Sequence, residues 1–104
     1  MPKKFKELKN KKLSDSLTNQ ERNAVDDVEK YIDEQIELQW ENGSVYIDHC
    51  IMTFECDPIT HLPTIFLPDK RDIMKELLFS TYNDADWKIL LQSDMSWRLM
   101  STKT

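Results

Sequence analysis

Glycine is nearly absent from this chain: Gly43 is the single one among 104 residues. Phosphate-cradling loops, dinucleotide folds and nucleophile elbows all need glycine where backbone approaches a ligand or turns sharply. None of them can be present in standard form, so nucleotide-dependent catalysis is not expected. Also missing is any run of the ~20 apolar residues that cross a bilayer. The lysine-rich start is not followed by the apolar stretch of a signal peptide, which makes a cytoplasmic protein without membrane contact the expectation. Cysteine is scarce as well, with only Cys50 and Cys56. They fall in a segment that alternates like a strand, where six residues at ~3.3 Å each hold them roughly 20 Å apart. That is beyond the reach of a disulfide, so both are expected as free, core-facing thiols of a reducing compartment.

What is present describes one ordinary domain. Hydrophobic residues make up 39% and charged residues 32%, a balance that excludes collagenous and wholly disordered classes. The charge is uneven. Residues 1–12 hold six lysines and Glu7, a net of +5, which leaves −10 on the rest of a chain whose total is −5. A basic tail over residues 1–17 is therefore expected on a single acidic domain over residues 18–104, and such asymmetry suits a tail that meets an acidic surface. Phe5 and Leu8 stand one helical turn apart among the lysines, too little for a helix stable on its own.

The first long element starts at a Thr18-x-x-Glu21 capping box. Val25, Val28, Ile32, Ile36 and Trp40 recur at spacings of three and four, predicting a helix over about 19–41 that Gly43 ends in a left-handed conformation. Residues 44–56 are rich in β-branched and aromatic side chains and read as one long strand. Asp57-Pro58-Ile59-Thr60-His61 reads as a tight reversal, with His61 tolerable at positive φ. Residues 62–67 return as a second strand with Pro63 at its edge, completing a β-hairpin. A second helix opens at Pro68 with Asp69 as cap and runs to about residue 81 on a stripe of Ile73, Met74, Leu77 and Leu78. Trp87, Ile89 and Leu91 alternate, which favours a strand at 87–91 over a short helix. The segment after Ser93 either extends the sheet or packs as a helical turn. The fold class is α+β: a long helix, a β-hairpin, a second helix and a C-terminal strand or short helix.

No chemistry-bearing constellation emerges. Asp48, His49, Cys50, Cys56, Asp57 and His61 are of metal-ligating types, but strand alternation sends His49 away from the cysteines and holds the cysteines apart, so no metal, cofactor or catalytic residue is assigned. The candidate contacts are instead electrostatic. Lys3, Lys4, Lys6, Lys9, Lys11 and Lys12 could neutralise phosphates or meet a protein partner. Asp26, Asp33, Glu37 and Trp40 form a candidate docking face on the long helix. The leading expectation is a non-enzymatic interaction or regulatory protein that forms a homo-oligomer, and the alternative is a nucleic-acid accessory protein working through its lysine tail.

Overall fold

Among the described residues, seven elements follow one another: α1 (Phe5–Asp15), α2 (Asn19–Gln39), β1 (Ser44–Asp48), α3 (His49–Met52), α4 (Pro68–Asp84), β2 (Trp87–Leu91) and β3 (Ser96–Ser101). They are taken from a computed structural model that describes residues 5–39, 41, 43–94 and 96–101. The protein is α+β, with helices set against a three-stranded antiparallel sheet of order β1-β3-β2.

The expected capping box begins α2. The Thr18 amide donates to Glu21 Oε1 at 2.8 Å and the Glu21 amide donates to Thr18 Oγ1 at 3.2 Å, which satisfies two amides that a helix start leaves without partners. Val25, Val28 and Ile32 are buried along one stripe. Past the helix end, Gly43 has a φ of +75°, the left-handed value expected of it.

The lysine-rich segment is more ordered than expected. It forms α1, a helix of 11 residues packed against α4. Carbonyls at its end and just beyond it find cations elsewhere in the chain: Arg22 Nη1 donates to Ser14 O at 3.3 Å and Lys70 Nζ to Ser16 O at 3.0 Å. Tertiary contacts of this kind stabilise a helix too weak to form alone.

The largest departure from expectation lies after Asp48. The strand expected over 44–56 stops there and the chain enters the helical turn α3. In β1, buried Val45 and Ile47 alternate with exposed Tyr46 and Asp48. Ile51 and Met52 are then both fully buried, and two consecutive inward residues suit a helical turn, not a strand with one wet face. Phe54, at a φ of 63°, ends the turn, and the amides of Glu55 and Cys56 both donate to the carbonyl of Cys50.

The reversal at Asp57 forms as expected. Asp57 Oδ1 accepts from the amides of Ile59 and Thr60 at 2.8 and 3.0 Å, and His61 has a φ of 60°. The returning strand over 62–67 does not form. One isolated bridge, Cys56 to Pro63, is all that remains of the expected hairpin, because Pro63 has no amide to donate and the chain it would pair with has turned helical. The hairpin of the sheet is made instead by β2 and β3, with Ile89 opposite Leu99, which resolves the C-terminal segment as sheet. In α4, Pro68 takes the first turn, and Leu67 rather than Asp69 precedes it as the capping residue, with no side-chain cap. Met74, Leu78 and Tyr82 are its buried stripe.

α2 packs on β1 and α4 on β2, with Val45, Ile47 and Leu99 buried in the core between them. Tyr46 and Arg98, paired across β1 and β3, occupy the opposite face, with the guanidinium 5.9 Å from the ring centroid.

Candidate functional site

Residues 57–67 form an arm that carries four exposed aliphatic side chains: Ile59 (78% exposed), Leu62 (64%), Ile65 (81%) and Leu67 (64%). Scattered exposed leucines are normal, but four within nine residues make a patch. The arm is anchored at its root. Thr64 Oγ1 donates to Phe54 O at 2.6 Å, the Thr64 amide donates to Glu55 O at 3.0 Å, and Glu55 pairs with Arg71 of α4 at 3.2 Å. At the turn, the amides of Thr60 and then Ile59, aimed at Asp57, hold its carboxyl below the usual carboxylate range. Between the arm and the first half of α2 runs a groove of about 590 Å³, walled by Ala24, Val28, Phe54, Pro58, Leu62 and Phe66. Its rim is polar, with Gln20, Asn23, Asp27 and Thr60. Apolar and polar groups thus share its surface about equally, a mixture that suits recognition of a partner.

The two cysteines are not where strand geometry would put them. Because α3 folds the chain back, Cys50 Sγ and Cys56 Sγ lie 2.6 Å apart rather than roughly 20 Å. Both are free thiols, Cys56 buried and Cys50 partly so. Burial, helped by the Cys50 thiol beside it, pushes the Cys56 thiol up to about 12. His49 is engaged elsewhere: Trp97 Nε1 donates to His49 Nδ1 at 3.1 Å, the rings are stacked, and Phe79 meets Trp97 edge-on. Among the described residues, no group of three or more His, Cys, Asp or Glu side chains is placed to hold a metal ion.

The charged candidates among the described residues fall on α1 and α2. Lys3, Lys4 and Trp40 lie outside the described residues. Lys6 and Lys9 belong to α1, and Lys11 and Lys12 are exposed on it. Lys11 and Asp26 line one cleft between α1, α2 and α4. Asp33 is tied to the fold, since its Oδ1 accepts from Tyr82 Oη at 2.8 Å. Glu37 stands exposed near the far end of α2. Lys11 and Asp26 thus share one cleft, while Asp26, Asp33 and Glu37, spaced seven and four residues apart, lie exposed along one side of α2.

The chain matches no family model, no curated protein and no solved structure. The groove and arm therefore stand on their own geometry. Sequence reasoning passed over these side chains because Ile59 reads as part of a tight reversal and Leu62, Ile65 and Leu67 as part of a returning strand. The available signal was Pro58 and Pro63, which interrupt that stretch and withhold the amides that sheet pairing needs.

Proposed function

We propose that this protein is a non-enzymatic interaction module that self-associates through the arm of residues 57–67. The observation that carries this reading is the adjacency of Ile59, Leu62, Ile65 and Leu67, all exposed, to a groove on the same chain that is lined in part by apolar side chains. A two-fold interface brings one patch against its own copy, so the patch must contain both projection and recess. Here the arm supplies both: Ile59 and Ile65 project from it, while Ala24, Val28, Phe54 and Phe66 form the recess beside it. A second copy is thus the occupant that the surface suits best.

The test is sedimentation of the intact chain beside the double variant Ile59→Asp, Ile65→Asp. The intact chain is expected to sediment above its monomer mass of 12.4 kDa and the variant at it, because each exposed isoleucine replaced by a carboxylate must then be desolvated in the interface. The variant should keep its fold, as neither side chain is in the core. A monodisperse intact monomer at high micromolar concentration overturns the proposal. Tight, salt-sensitive binding of DNA or RNA by the intact chain would transfer the assignment to the lysines of residues 1–12.

A further inference from the structure

We propose that Cys50 and Cys56 are a reversible dithiol–disulfide pair whose oxidising substrate is a low-molecular-weight disulfide. Their sulfurs are 2.6 Å apart, inside van der Waals contact, so a bond between them needs almost no movement of the chain. The backbone also brings the two residues together. The amides of Glu55 and Cys56 converge on the Cys50 carbonyl at 2.8 and 3.0 Å, with Phe54 held left-handed between the cysteines. A shared metal fits this geometry poorly: two thiolates each about 2.3 Å from a tetrahedral zinc stand about 3.8 Å from each other.

The two thiols have separate parts. Cys50, the more exposed, reaches the small disulfide RSSR first. Its thiolate attacks one sulfur, the S–S bond of RSSR breaks, and RS⁻ leaves and takes up a proton. Cys56 then loses its proton to water and attacks Cys50 Sγ, expelling the second RS⁻, which is protonated in turn. In sum, two protein thiols and RSSR give one protein disulfide and two RSH, the protein losing two electrons and the small disulfide gaining them. Burial keeps Cys56 protonated and unreactive toward solvent, which suits a thiol that attacks only the sulfur held against it. The new bond closes the turn at the root of the arm, and Phe54 and Cys56 are walls of the groove. An effect of oxidation on self-association therefore rests on the proposed function, whereas the thiol chemistry does not.

The experiment treats the full chain with oxidised glutathione and reads intact mass, linked peptides, Tm and sedimentation. The expected product has lost the mass of two hydrogens, links Cys50 to Cys56 within one chain, and returns to the dithiol with dithiothreitol. Its Tm should rise by on the order of 10 °C, as closing a short loop constrains the unfolded chain. Cys56→Ser should accumulate glutathione on Cys50, whereas Cys50→Ser should take up little. Lasting glutathione adducts on the intact chain, links between chains, or no reaction would overturn the proposal. Formation of the link with sedimentation unchanged supports the pair and counts against the arm as the interface.

Discussion

Tyr82 joins α4 to α2 through a single phenol, whose oxygen lies 3.0 Å from the Glu29 carbonyl and 2.8 Å from Asp33 Oδ1. Burial, then the Asp33 carboxylate, raises the phenol above its ordinary value, which favours the protonated, donating form. The same crowding of acids acts on Glu29, whose carboxyl is raised by burial first and by Asp26 and Asp33 next. A raised carboxyl means that the folded chain binds this proton more tightly than the unfolded chain does. The Glu29 contribution is thus most favourable at low pH and is lost as pH rises from the unfolded value of 4.5 through the higher folded one. Glu29→Gln removes that loss. Urea denaturation should find the variant more stable near neutral pH by roughly 0.5 kcal/mol, a small figure because solvent screens the half-exposed site. Below the unfolded value the two proteins should converge, since both side chains are then neutral. An unchanged difference at low pH would place the effect in packing, not charge.

At the scale of elements, the parts that were legible in the sequence are those decided locally. The Thr18–Glu21 box and the Gly43 stop bound α2 within a few residues, because both act through bonds and sterics of adjacent residues. The strand over 44–56 was misread because β-branched composition describes half-buried surface, not backbone. β1 ends at Asp48, opposite Ser96 at the start of β3, a pairing between distant parts of the sequence that no local pattern reveals. The groove was illegible for the same reason, as it needs α2 and the arm placed together. A contact from the end of α2 also guards β1: the Gln39 side-chain amide accepts from the Tyr46 amide at 2.9 Å and donates to the Tyr46 carbonyl at 3.2 Å. A side chain thereby occupies hydrogen-bonding positions of an outer strand and keeps that edge from templating another chain. Gln39→Ala should destabilise by about 1 kcal/mol and speed hydrogen exchange of the Tyr46 amide. Sheet-type aggregation, read by light scattering, should rise with it. Exchange at Tyr46 as slow as in the parent chain would show that the edge is closed by something else.

Across the whole molecule, charge is divided between a basic N-terminal segment and an acidic remainder, and α1 brings the two together within one chain. Residues 1–15 carry six lysines against Glu7 and Asp15, so their removal would leave −9 on a chain that holds −5 intact. α1 packs on α4, and Lys11 faces the cleft that also holds Asp26 and Glu29. The segment therefore relieves acidic self-repulsion in addition to covering apolar surface beside Leu77. These two contributions separate by salt. Screening acts over about 30 Å at 0.01 M and about 3 Å at 1 M ionic strength, whereas apolar burial persists. Deleting residues 1–15 should lower Tm most at low salt. The truncated chain, with more unopposed negative charge, should gain more from added salt than the intact one, so the gap between them narrows without closing. Thermal melts of both proteins at the two ionic strengths measure this directly. A gap independent of salt would make α1 an apolar cover alone, and no gap at all would return the lysines to service outside the fold.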